Sequence, residues 1–404
     1  MNIQSQPNSV QTNMQPAPAK PLMSERRVSL IGALLVALGP VSMALFTPAM
    51  PQIVHDFSST EATVKLTLSL YFAGFALAQL VCGPLSDGFG RKPVIMAFMG
   101  IYLVATIVAL AAPNIEVLIA ARFLQGVGAS VGVATSRAIV RDLYVGESSA
   151  RIMNLIGLIL GLGPAFAPTI GGVTMELFGW HAIFAVMILF GIAVTLICQY
   201  ALKETVTRDL SRIRIRALIS SYAKLFGSGY FLACGIMLGG SVGVFYTLAV
   251  VLPFIMMNHV GLSPTQFGAS MLMQSGAFFF GALTVRQAIR RYGAYALLIP
   301  GLIFIMTGSI AMAVLLRLFE PTFWTVMGPV ALFAYGSSFM IPAISTASLA
   351  PFPQIAGAAS ALSGFMQLGG GLVGGIIASL FSNPVTALAT VVPGLGLITL
   401  LSYI

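Results

Sequence analysis

The chain has 404 residues, of which 58% are hydrophobic and 8% are charged. Soluble domains carry about 25% charged residues, so the composition excludes a soluble globular protein and points to an integral membrane protein. The net charge of +9 would suit nucleic acid in a soluble protein, but in a membrane its meaning depends on where the basic residues fall.

Residues 1–28 begin MNIQSQPNSVQTNMQPAPAK, rich in Gln, Asn, Pro and Ser and without a signal-peptide core. They are expected to form a disordered cytoplasmic tail. The next apolar run lacks a small-residue cleavage site and is expected to stay as the first span. A helix needs about 20 apolar residues to cross the hydrocarbon. The chain offers twelve such runs, near 29–50, 64–86, 93–112, 117–138, 149–174, 178–201, 228–252, 266–285, 294–316, 323–347, 356–380 and 385–404. The expected fold class is an all-α membrane protein of twelve transmembrane helices.

The basic residues sort by side. One set of connections holds Lys20, Arg26, Arg27, Arg91, Lys92, Arg137, Arg141, Arg151, the run from Lys203 to Lys224, and Arg286, Arg290 and Arg291; the other holds Lys65 and Arg317. The positive-inside rule makes the first set cytoplasmic, with both termini inside. The charge is then topological: the partner it implies is the lipid bilayer, not nucleic acid.

The longest hydrophilic connection, KETVTRDLSRIRIRALISSYAK from Lys203 to Lys224, divides the runs six and six. It predicts an N-terminal six-helix bundle over 29–201, a linker over 202–227 and a C-terminal bundle over 228–404. Within it, IRIRALISSYAKLF reads either as a short amphipathic helix on the membrane surface or as a plain linker.

Cys82, Cys198 and Cys234 lie in apolar runs with no metal-ligand spacing, and His55, His181 and His259 are scattered. No metal, cofactor or catalytic constellation is expected.

The stretch GPLSDGFGRKP, residues 83–93, concentrates charge and glycine between two apolar runs. Gly83 is suited to a close approach of helix backbones, and Gly90 to a turn. Asp87 is suited to the positive end of a neighbouring helix. Arg91 can bridge Asp87 to a second acid, while Lys92 would hold the loop to the lipid face.

At this place in a twelve-span chain, these residues match the cytoplasmic loop signature of the major facilitator superfamily, which the chain resembles. The resemblance implies two pseudo-symmetric six-helix bundles working by alternating access, and a conformational lock. Its second acid would be Asp142 in RAIVRDLY, and its helix end would be the start of span eleven at residues 354–358. The second half echoes the loop as Gly281-x-Leu283-x-Val285 with Arg286, Arg290 and Arg291, placing Val where Asp is expected.

In the fifth run, Gly161, Gly163, Pro164, Pro168, Gly171 and Gly172 resemble the glycine-proline signature of the antiporter branch. Small residues on one face allow tight helix packing and prolines kink it; ordinary glycine enrichment of membrane helices is the plainer reading. RFLQGVGAS from Arg122, RAIVRDLY and PFPQIAGAASALSGFMQ resemble the bicyclomycin and chloramphenicol resistance (Bcr/CflA) drug exporters. That resemblance implies proton-coupled drug efflux in a bacterial inner membrane, with small molecules and protons as partners. A monomer is expected.

Arg122 falls inside the hydrocarbon, at about 2.5 to 3.5 kcal/mol on insertion scales. The resemblance makes it part of the coupling machinery, held by backbone carbonyls, span-one groups or Gln125, with Asp142 as a further coupling candidate; a structural tie between helices is the alternative. The acid usually found four residues before Pro-x-x-Pro in span one is Ala44 here, and none of the eleven acids falls at mid-membrane. The cavity should therefore disfavour lipophilic cations and admit neutral or weakly anionic amphipathic compounds. Coupling, if present, would use Asp87, Asp142 or the substrate's own proton. A narrow metabolite or amino-acid exporter, or an uncoupled facilitator, is the competing reading. The cavity candidates are Phe46, Tyr71, Phe75, Asn154, Tyr246, Met273, Gln274, Tyr335, Phe339 and Gln367.

Overall fold

The computed structural model describes residues 22–213, 215–293 and 295–404. Among the described residues, eleven helices are long and apolar enough to cross a membrane: span one Glu25–Asp56, span two Glu61–Phe89, span three Arg91–Leu110, span four Ile115–Leu143, span six Trp180–Ala201, span seven Gly229–His259, span eight Pro264–Tyr292, span nine Tyr295–Leu318, span ten Phe323–Leu349, span eleven Pro353–Ser379 and span twelve Pro384–Leu401. Span five is the 33-residue helix Gly146–Phe178. Every expected run is thus helical. Span one starts inside the stretch expected as tail, because Glu25 to Val28 already belong to the helix; residues 1–21 lie outside the described residues.

The ends follow local chemistry. Ser263 caps span eight with a reciprocal Gln266 contact ahead of Pro264, and Asn114 and Asn383 cap spans four and twelve, supplying acceptors for amides that have no intrahelical partner. Spans two and eight both end on glycines of positive φ, Gly90 at 104° and Gly293 at 80°. Aligned on these two glycines, Arg290 stands where Asp87 stands in the first half. The sequence register that put Val285 there is corrected, since span eight runs further before it ends.

Helix pairing repeats with an offset of six. Span one packs on five as seven packs on eleven, two on four as eight on ten, three on six as nine on twelve. The two halves meet through span two against eleven and span five against eight, a set that the same offset maps onto itself. The molecule is two pseudo-symmetric six-helix bundles.

Between the halves runs a helix, Ile215–Phe226. Its Leu225 is buried with Phe231, Phe352, Ala359 and Leu362, and Tyr222 Oη donates to the Leu80 carbonyl at 2.7 Å. Of the two readings left open for this segment, it is a helix, but protein rather than lipid covers part of its apolar face.

Candidate functional site

Three neighbourhoods concentrate the polar side chains: the loop at 83–93, the Arg122 environment and the cavity between the halves. In the first, Gly90 has a backbone conformation open essentially to glycine, and a Cβ there would stand 2.7 Å from Glu204 Oε2. Arg91, 3% exposed, pairs with Asp87, donates from Nε to Asp142 Oδ2 at 3.0 Å and from Nη1 to Ser86 Oγ at 2.7 Å. Thr205 Oγ1 donates to the same Asp142 oxygen at 2.9 Å. Glu204 accepts from the backbone amides of Arg91 and Lys92 at 2.9 and 3.0 Å, placing a carboxylate at the positive end of span three. The linker therefore contributes to this cluster, which the 83–93 motif alone did not reveal.

Two expectations for the loop are corrected. Lys92 Nζ donates to the Gln199 carbonyl at 2.6 Å; the last turn of span six, with its free carbonyls, takes the ammonium instead of the lipid face. An added Cβ at Gly83 would meet nothing within 4 Å, so no helix approaches closely there. Instead, Asp87 faces residues Gln354, Ile355, Gly357 and Ala358 across a cleft of about 380 Å³. Among the described residues no hydrogen bond joins Asp87 to span eleven.

Arg122 is fully buried. Its guanidinium lies 4.3 Å from the Phe46 ring and 4.5 Å from the Tyr71 ring, which attract it through their negative faces, and it donates to Gln125 Oε1. Gln125 Nε2 donates onward to Thr106 Oγ1 at 2.8 Å, and Thr106 to the Tyr102 carbonyl at 2.6 Å. The Gln125 and span-one partners expected for Arg122 are present, the latter as a ring; among the described residues its Nε and Nη2 have no hydrogen-bond partner. Asp142 is held by Arg91, so the three coupling candidates occupy two separate places.

The central cavity, about 300 Å³, lies between the halves and is lined by Tyr71, Phe75, Tyr246 and Gln367 from the expected set. The other candidates lie elsewhere. Phe46 is buried beneath Arg122, and Met273 packs against the apolar core. Tyr335 meets Phe304 edge-to-face at 5.0 Å and Phe339 lies tilted against it at 6.1 Å, and Tyr335 Oη donates to Thr284 Oγ1 at 3.1 Å. Asn154 is exposed, and neither it nor Gln274 lines this cavity. Five polar lining residues are absent from the expected set: Gln79, Arg137, Ser345, Ser360 and Ser363. Arg137, expected in a connection, lies within span four, which continues to Leu143; its side chain faces the cavity and donates to Ser360 Oγ at 3.4 Å. Gln79, Val133, Arg137 and Ser360 also line a second cleft, about 280 Å³, that reaches Asp87 and Arg91.

The opposite face is closed. The carbonyl of Pro264 meets Gly172, and that of Pro168 meets Gly268, so spans five and eight touch backbone to backbone, as the small-residue face predicted. Gly171 packs likewise on the Leu45 carbonyl and Gly163 beside Val41; the side-chain surroundings of Gly161 and Pro164 lie outside the described residues. Glu176 Oε2 accepts from Ser263 Oγ and the Thr265 amide, both at 3.2 Å. Lys65, expected in a connection, is 1% exposed within span two, pairs with Glu61 at 3.5 Å and lies 5.1 Å from the Phe254 ring.

The Major Facilitator Superfamily model matches residues 30–401. Multidrug resistance protein D of Escherichia coli (strain K12) is 29% identical, over 94% of this chain and 96% of its own length. The uncharacterized MFS-type transporter YdgK of Bacillus subtilis (strain 168) is 32% identical over 89% of each. In three dimensions, the crystal structure of a bacterial homolog to the human lysosomal transporter Spinster, in an inward-facing and unoccupied conformation, superposes with a TM-score of 0.71 at 16% identity, over 94% of this chain and 95% of that one. With its twelve apolar helices in two related bundles, the chain is a multi-pass membrane protein that belongs to the major facilitator superfamily, a family of transporters rather than enzymes.

Proposed function

We propose that the chain is an efflux transporter of the bacterial inner membrane, of the Bcr/CflA type, exporting small amphipathic compounds that carry no positive charge. The observation that carries this is the central cavity: aromatic walls, amide and hydroxyl groups, and Arg137 with no lining acid. A cation entering it would be desolvated beside a like charge. The likeness to multidrug resistance protein D over 94% of the chain supports export of drug-like molecules.

With the basic loops cytoplasmic, both termini lie inside, and the bundles at 29–201 and 228–404 rock about the linker at 202–227. The clefts on the basic face and the closed opposite face support an inward-open state. Arg91 keeps Asp87 and Asp142 in place here; when the cleft closes, Asp87 meets the start of span eleven and stabilises the outward-facing state. The carboxylates of Asp87 and Asp142 are the proton carriers in this scheme, and the Arg122–Gln125 pair ties spans together near the cavity wall.

The test is accumulation in an efflux-deficient bacterium, comparing a neutral phenicol with a cationic dye, with and without a protonophore. The proposal expects lower phenicol accumulation, unchanged dye, and loss of the effect with the protonophore. An effect that survives the protonophore overturns coupling and leaves a facilitator. No effect on either compound in a properly inserted protein overturns drug efflux in favour of a narrow metabolite transporter.

A further inference from the structure

Where the central cavity passes into the cleft on the basic face, four residues line both: Gln79 of span two, Val133 and Arg137 of span four, and Ser360 of span eleven. We propose that this neck is a carboxylate-binding site, and that the preferred substrates are amphipathic weak acids bound with the acid group on Arg137 and Ser360. The inference rests on the transport reading and narrows its substrate class.

Among the described residues, Arg137 is the only charged one lining the central cavity. Its hydrogen bond to Ser360 Oγ is long, at 3.4 Å, and the guanidinium fork has five N–H donors in a plane that matches a carboxylate. The acid nearest along the second cleft, Asp87, is paired with Arg91. The neck also offers an acceptor: Gln79 is 6% exposed, and its Oε1 has no hydrogen-bond partner among the described residues. A buried carbonyl oxygen left so is expensive unless a ligand supplies a donor. Gln79 Nε2 sits where a Cβ at residue 364 would be, so glycine at that position lets the amide turn into the space between the halves.

The fitting ligand has an apolar body for the Tyr71, Phe75 and Tyr246 wall, a carboxylate for Arg137 and an N–H or O–H for Gln79. Because Arg137 belongs to the first half and Ser360 to the second, a carboxylate accepting from both bridges the halves. Binding then favours the state in which they approach.

The test measures binding of N-acetyl-L-phenylalanine, which has a ring, a carboxylate and an N–H, and of its primary amide to the purified full-length protein in nanodiscs, in wild type, Arg137→Gln, Arg137→Lys and, as a control off the cavity, Asn154→Ala. A charged hydrogen bond predicts an acid-to-amide preference of about tenfold in wild type and in Asn154→Ala. That ratio falls to about one in Arg137→Gln and is partly kept in Arg137→Lys. Equal affinities in wild type, or a preference that persists in Arg137→Gln, overturn the carboxylate site. Absence of binding by the acid from a protein that still exports the neutral phenicol overturns it too, and leaves the efflux reading standing. Absence of both binding and export overturns the two together.

Discussion

Three arginines near the cavity carry the same charge into three different settings. Arg91 is surrounded by carboxylates, Arg122 by aromatic rings and an amide, and Arg137 by a cavity wall with a single long hydrogen bond. The first setting was legible, because Asp87, Arg91 and Asp142 fall in recognisable short motifs. The partners of Arg122 were only partly so: Phe46 and Tyr71 are distant along the chain, and nothing in their neighbours says which way their rings point. Arg137 was misread because sorting charges by side assigns any basic residue near the end of an apolar run to the loop. The residue most confined by its backbone is Gly90. Replacing it with Ala puts a side chain into a conformation that costs about 1 to 3 kcal/mol outside glycine and against Glu204. Thermal unfolding of the purified variant should show a lower melting temperature. An unchanged one would mean that the Glu204 strap and the loop relax freely.

At the scale of elements, apolar run length identified every membrane helix, since length and hydropathy are what the bilayer selects. The orientation of each helix about its axis was much less legible. These helices are apolar on most sides, so periodicity gives little phase, and Asn154, Tyr335 and Phe339 were placed in the cavity on side-chain chemistry alone. Glycine supplied the missing phase in span five, where Gly171 and Gly172 mark the face that meets other backbones. A leucine at Gly172 must push the Pro264 carbonyl away and part spans five and eight. The expected result is a protein that inserts but transports poorly, with Ser263→Cys labelled faster by a membrane-impermeant maleimide. Equal labelling with and without Gly172→Leu would show that this contact does not hold the closed face.

For the whole molecule, the six-helix offset in helix pairing means that the two interfaces, two with eleven and five with eight, are counterparts of each other. In the proposed rocking cycle both are tight at the same face of the molecule and part together at the other, and Gly375 of span eleven already meets Ser69 of span two. The glycines record that difference: Gly172 is already in backbone contact, whereas Gly83, at the start of the signature loop, borders open space. A side chain starting at Gly83 therefore meets open space at its Cβ in this state, and replacing this helical glycine with leucine should leave stability unchanged or raise it by up to about 1 kcal/mol. It should obstruct closure of the cleft between span two and span eleven. Such a variant is expected to keep or raise its melting temperature, to lose export of the neutral phenicol, and to slow maleimide labelling at Ser263→Cys, the opposite sign to Gly172→Leu. If both leucines shifted labelling in the same direction, the two faces would not open and close in alternation, and a transport cycle built on rocking halves would have to be abandoned for this chain.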